Sequence, residues 1–166
     1  PFMIYDAPLE STMGVIQKIF YFHVPSAAVT FLSAFVCGIA SALFLWRRSR
    51  LADHVAVSAA ELAVVFGLIV LVTGPLWARK AWGVWWVWDA RLTSMLILFF
   101  LYLGYIALHS AFEDPTKGAR AAAILALVGV INIPIVKFSV DWWNTLHQPA
   151  TISKLDRPSM DPSMIA

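Results

Sequence analysis

The chain has 166 residues, 60% of them hydrophobic and only 13% charged, with a formal net charge of +2. A soluble domain carries roughly a quarter charged residues, so this chain has too few to cover a water-facing surface, and a soluble monomer is excluded. Twelve basic against ten acidic residues, with no basic stripe, argue against nucleic acid as a partner. A polytopic membrane protein remains, with the lipid bilayer as its solvent. The single cysteine, Cys37, lies inside an apolar run, which rules out a disulfide framework, a CxxC redox pair and a cysteine metal site.

Crossing about 30 Å of hydrocarbon takes roughly 20 helical residues, and four stretches are long enough. Residues 24–46 carry no charge, and 55–77 are broken only by Glu61. Residues 92–112 hold only His109, and 119–140 have Arg120 and Lys137 near their ends, where long basic side chains reach the interface. The fold class is therefore an all-α integral membrane protein with four transmembrane helices. The chain starts at Pro1 without an initiator methionine and ends on apolar residues 164–166. It reads as one membrane domain, 1–166, truncated at both ends.

Alternation of spans places residues 1–23, 78–91 and 141–166 on one face, and 47–54 and 113–118 on the other. Seven of the eight tryptophans (Trp77, Trp82, Trp85, Trp86, Trp88, Trp142 and Trp143) fall on or beside the first face, with His23 and His147. The second face has Trp46, His54 and His109, and Arg47, Arg48 and Arg50 in one short loop. Density of basic charge makes that arginine loop cytoplasmic, whereas the raw count does not, because the first face holds Lys18, Arg79, Lys80, Arg91, Lys137, Lys154 and Arg157. Charge alone leaves the orientation open.

In chain order, the first segment with chemistry is the stripe Ile16, Ile19, Phe20, His23, which has helical spacing and reads as an amphipathic segment lying against the membrane. Pro25 then starts the first span. Glu61, a carboxylate within a span, reads as structural, satisfied by protonation or by pairing with the arginine loop.

The densest segment is Trp82-Gly83-Val84-Trp85-Trp86-Val87-Trp88-Asp89-Ala90-Arg91. On a helix, Trp82, Trp85, Trp86 and Asp89 share one face and form an aromatic wall edged by a carboxylate, while Gly83 also permits a break. One reading is an interfacial aromatic belt. The other is a platform for a large flat ligand, clamped through carboxylates by Arg79, Lys80 and Arg91. Flat, apolar and dicarboxylic describes haem. Haem iron takes imidazole ligands, and His23 and His147 share the aromatic face. His147 lies in residues 141–149, where Pro149 imposes an extended or turn geometry. His54 and His109, near the opposite loops, read as structural.

These segments resemble a known family. The stretch from Trp82 to Ser94 is similar to the tryptophan-rich WWD signature of the haem-handling proteins of cytochrome c biogenesis. Ala90-Arg91-Leu92-Thr93 after the Trp-Asp pair resembles the haem exporter protein C branch of the cytochrome c maturation system. Lys18-Ile19-Phe20-Tyr21-Phe22-His23-Val24-Pro25 and Leu146-His147-Gln148-Pro149 resemble that family's first and third outer loops.

The resemblance implies a six-helix fold of which this chain holds the second to fifth helices. It implies the cell inner membrane as location, with the tryptophan loop and both histidines on the periplasmic side. Haem b would be a transiently bound cargo, ligated by His23 and His147. Trp82, Trp85, Trp86, Trp88 and Asp89 would form the platform, and Arg91, Arg79, Lys80 and Lys18 the propionate contacts. Lys18 stands where many relatives have arginine. Implied partners are a haem chaperone, a small accessory membrane subunit and the ABC transporter subunits of the maturation system.

The function expected is haem handling and delivery rather than an enzyme's bond-making. The alternative is a cytochrome b-type electron-transfer subunit, whose design buries histidine pairs within helices. His23 and His147 lie outside the predicted spans. A structural or transporter subunit using tryptophan only as an anchor would carry no haem, and no internal repeat supports a secondary transporter. No Ser/His/Asp constellation supports hydrolysis.

Overall fold

The computed structural model describes residues 4, 9, 11–143, 146 and 147, and every element among them is a helix. A short 3-10 helix, Val15–Ile19, leads into α1 (Phe20–Arg47), followed by α2 (Arg50–Trp82), α3 (Ala90–Ser110) and α4 (Pro115–Trp142). All four long helices are apolar and long enough to cross a bilayer. The protein is a multi-pass membrane protein.

Local chemistry sets the helix ends. Ser49 caps α2 by accepting from Ala52 N, with Asp53 in the first turn where a negative charge meets the positive end of the helix dipole. Asp114 caps α4 through Thr116 N at 2.9 Å, with Pro115 at the first helical position. Between α1 and α2 the chain turns at Arg48, whose φ of 55° is the left-handed conformation that closes a helix.

The helices form an antiparallel ring in which each packs on the next and α4 closes on α1. The core is built from small residues, including Ala34, Ala56, Ala60, Ala63, Ala122 and Ala126, while Leu32, Phe35, Leu62, Val65, Leu68 and Ile131 face outwards. That inversion fits lipid as solvent, where close backbone approach rather than hydrophobic exclusion holds helices together. Tyr102 Oη donates to the Ala34 carbonyl at 2.9 Å, and Asn132 Nδ2 donates to the Ser94 carbonyl at 2.8 Å. These bonds tie α3 to α1 and to α4.

The two ends of the bundle differ as the alternation of spans predicts. At one end His109 Nε2 lies 3.1 Å from Asp53 Oδ1, joining α3 to α2, and the Arg47 guanidinium lies over Trp46. The contact with Asp53 agrees with a structural reading of His109. His54 is exposed there and borders a shallow groove with Ser58 and Leu62. At the other end the 3-10 helix, the α2–α3 connection and His147 come together.

Three expectations need correction. Helix α1 begins at Phe20, so His23 lies in its first turn and Pro25 sits inside the helix rather than at its start. Residues Ile19, Phe20 and His23 of the expected amphipathic stripe line a cavity. Glu61 is exposed on α2 and makes no hydrogen bond or ion pair among the described residues, so of its two expected routes pairing with the arginine loop is not observed. Eleven residues at 1.5 Å each put it about 16 Å from Arg50 along the helix. The turn expected at Pro149, and Lys154, Arg157 and residues 164–166, lie outside the described residues.

Candidate functional site

The tryptophan-rich segment is not one helical face. Gly83, with φ 77°, ends α2 in the left-handed conformation that glycine adopts without strain. The Arg79 guanidinium donates to the Gly83 carbonyl, fastening that end. Residues 83–89 then run non-helically until Asp89 opens α3 by accepting from Leu92 N at 2.7 Å. A glycine stop and an aspartate start, six residues apart, override the helical spacing of the aromatics.

This break directs the tryptophans differently. Trp82 and Trp85 line a cavity of about 530 Å³, together with His23, Arg91, Lys137 and His147. Trp86 and Trp88 pack edge-on against each other, 5.6 Å between centroids, and neither lines the cavity. Trp88 is 75% exposed, whereas the Trp86 indole N–H is buried without a partner among the described residues. Arg79 lies beside the Trp85 ring, and Arg79, Lys80 and Lys18 stand outside the cavity lining.

The cavity floor is apolar and reaches Phe31, Val70 and Met95. Phe31 lies eight residues beyond His23, which at 1.5 Å per residue is about 12 Å into the bundle. Each imidazole is contacted at Nδ1. His23 Nδ1 lies 2.9 Å from Thr73 Oγ1, and Thr73 Oγ1 itself donates to the Ile69 carbonyl at 2.7 Å. With its own proton committed, the threonine oxygen accepts from Nδ1–H, leaving the His23 Nε2 lone pair free. Gly74 sits beside the ring, where an added Cβ would lie 3.4 Å from His23 Cε1.

His147 is also oriented by a neighbouring side chain. Its Nδ1 lies 3.2 Å from Asp89 Oδ2, and its ring meets the edge of Trp82 at 4.9 Å between centroids. Burial pushes its pKa below the usual histidine value. Asp89 pulls in the opposite direction by hydrogen bond and charge, and Arg91 adds to the lowering. The net result favours the neutral form of the imidazole. No cluster of three metal-binding side chains occurs among the described residues.

The sequence missed Thr73, which orients His23 from 50 residues away and carries no local signal, and Lys137, which sits on the cavity rather than reaching away from it. It also placed Asp89 in the aromatic wall, where the carboxylate instead caps α3 and holds His147.

Fold and site together define a helical multi-pass membrane protein with a paired-imidazole, tryptophan-walled cavity at one end of its bundle. The family model for heme exporter protein C matches residues 2–166. The chain belongs to that family. It is 51% identical to heme exporter protein C of Bradyrhizobium diazoefficiens over 163 residues, covering 96% of this chain and 60% of that protein. The corresponding proteins of Haemophilus influenzae and Escherichia coli K12 are 45% and 44% identical, covering 96% and 95% of this chain and 65% and 63% of their own lengths. The chain thus spans about three-fifths of the length of the curated relatives it matches.

Proposed function

We propose that this chain handles haem for cytochrome c biogenesis, holding haem b at the outer membrane face and passing it to a haem chaperone. The observation that carries this reading is the pair of imidazoles on one cavity, His23 oriented through Nδ1 by Thr73 and His147 through Nδ1 by Asp89. Such second-contact orientation is what a metal-ligating histidine requires. The rest of the cavity suits the cargo. Its walls are flat and aromatic at Trp82 and Trp85, its floor is apolar, and Arg91 supplies a cation for a carboxylate.

His23 and His147 are the proposed axial ligands, and haem supplies the iron they hold. Asp89 positions His147 and Thr73 positions His23. Trp86 and Trp88 belong to the outer rim, where a docking chaperone would meet them, and Arg79, Lys80 and Lys18 give that rim its positive charge. The role is transport and assembly rather than catalysis, in a membrane complex with a small accessory subunit and ABC transporter subunits. The family membership supports haem handling, and the location of both histidines at a helix start and beyond a helix end supports presentation to a partner. An electron-transfer subunit would bury the pair deeper.

The test is the absorption spectrum of the protein purified with a haem supply. The wild type is expected to show a bis-imidazole Soret band, and His23→Ala and His147→Ala are each expected to shift or abolish it. Unchanged bands in both variants would overturn the ligand assignment. Absence of haem from the wild type would overturn the function.

A further inference from the structure

At the end of the bundle away from the imidazoles, Arg47, Arg48 and Arg50 stand exposed at the turn between α1 and α2. Among the described residues none of the three meets a carboxylate. Asp53, the nearest acid in sequence, is engaged by His109, and Asp114 at the same end caps α4. Beyond the turn, α1 and α2 frame a groove of about 440 Å³ on the outward side of the bundle. Ligand seats run from about 300 to 1,000 Å³, so the groove has the size of a binding site rather than of a packing gap. Leu32, Val55 and Leu62 are exposed along it, Ala59 is buried in its floor, and His54 stands at the end nearest the turn.

Helical spacing brings a cation to that end from each wall. Arg50 precedes His54 by one turn of α2, and Arg47 follows Val36 by eleven residues, three turns along the same face of α1. Glu61 also faces outwards on α2, but its depth of about 16 Å below Arg50 separates it from anything held at the turn. We propose that the groove seats an anionic phospholipid, with an acyl chain against Leu32, Val36, Ala59 and Leu62 and the phosphate at Arg47 and Arg50. A basic rim above an apolar trough between two membrane helices matches the two ends of that molecule, and the bilayer supplies it. His54, one turn deeper than Arg50, adds an N–H donor for a phosphate or ester oxygen. The site shares no lining residue with the imidazole cavity and does not depend on the haem reading.

The test is a lipid titration of the purified full-length protein in detergent, read by native mass spectrometry, with phosphatidylglycerol compared with phosphatidylcholine. Wild type is expected to prefer phosphatidylglycerol by more than about tenfold, since each basic side chain near an anionic head group strengthens binding about fivefold. Arg47→Gln combined with Arg50→Gln is expected to weaken phosphatidylglycerol by about 30-fold and to leave phosphatidylcholine unchanged. Lys117→Gln combined with Arg120→Gln removes the same charge from α4, outside the groove, and is expected to keep the preference. Ser58→Phe, which fills the groove from an exposed position on its wall, is expected to weaken both lipids. Thermal unfolding without added lipid checks the fold of each variant. If the double arginine variant does not fold, Arg50→Gln alone is read for a loss of about fivefold.

Equal wild-type affinity for the two lipids would overturn the proposal, as would unchanged phosphatidylglycerol binding in the arginine variant. An equal loss in the α4 variant would assign the effect to the total charge of that end and overturn the site. Full binding by Ser58→Phe would do the same, because the acyl chain would then lie elsewhere.

Discussion

Asp89 holds His147 with one oxygen and caps α3 with the other: Oδ2 lies 3.2 Å from His147 Nδ1 and Oδ1 lies 2.7 Å from Leu92 N. The start of a transmembrane helix and the orientation of a candidate ligand therefore share one buried carboxylate. Asp89→Asn separates the two roles. Asparagine caps a helix about as well as aspartate, so the fold is expected to survive. With its oxygen on Leu92 N, the amide would offer N–H to His147 Nδ1 and place the imidazole proton on Nε2. The expected result is near-native thermal unfolding in detergent with loss of the His147 ligand from the haem spectrum. Asp89→Ala should lose both, with about 1 kcal/mol of stability from the missing cap.

His23 has its own holder, and Thr73 is expected to behave as a positioning residue. Thr73→Val keeps the shape and removes the acceptor for Nδ1–H. Haem affinity should fall by about 10- to 100-fold, the usual cost of losing a partner that orients a metal-ligating histidine. Thr73→Ser keeps the hydroxyl and should restore most of it. Equal losses in the two variants would show that Thr73 acts through packing.

The pH response of His147 follows from its environment. Its pKa is lowered, with burial as the larger cause and the Asp89 contact opposing it. The imidazole therefore stays neutral in the folded protein below the ordinary histidine pKa of about 6.5. The unfolded chain takes up the proton first, so this residue's contribution to stability is full above about pH 6.5. It falls with acidification as far as the lowered folded value and is level beneath it. Haem ligation by His147 should likewise persist below pH 6.5 and fail on further acidification. A His147→Ala background should lack that acid transition in a spectral titration. Loss of ligation already above pH 6.5 would contradict the burial argument.

The spans were legible because a bilayer imposes length and charge rules on a sequence, and residues 55–77 and 92–112 fall almost wholly inside α2 and α3. Their ends were less legible. Helix α2 continues past residue 77 to Trp82 because helix formation does not stop where the apolar run does. The gathering of His23, Trp82, Trp85, Arg91 and His147 around one cavity was readable from sidedness and alternation alone. What each residue does there was not. The roles of Asp89 and Thr73 depend on contacts across 58 and 50 residues, which neither periodicity nor composition encodes. The wall of four residues failed because Gly83 and Asp89 punctuate the chain more strongly than its aromatics repeat.

The small-residue core can be tested apart from the cavity, at Gly38 on α1. A Cβ built there would overlap Val130 Cγ2 on α4, so the two helices approach as closely as they do because position 38 has no side chain. Gly38→Ala would improve intrinsic helix propensity by about 1 kcal/mol. The overlap falls on a β-branched side chain with little rotamer freedom in a helix, so the clash should win and cost about 1–3 kcal/mol net. Val130→Ala on its own removes methyl groups and should destabilise mildly. The double variant should be more stable than Gly38→Ala alone, because the second change relieves the overlap created by the first. Unfolding in detergent, with four proteins compared in one cycle, measures the coupling. A strictly additive cycle would mean that α1 and α4 do not meet at this point.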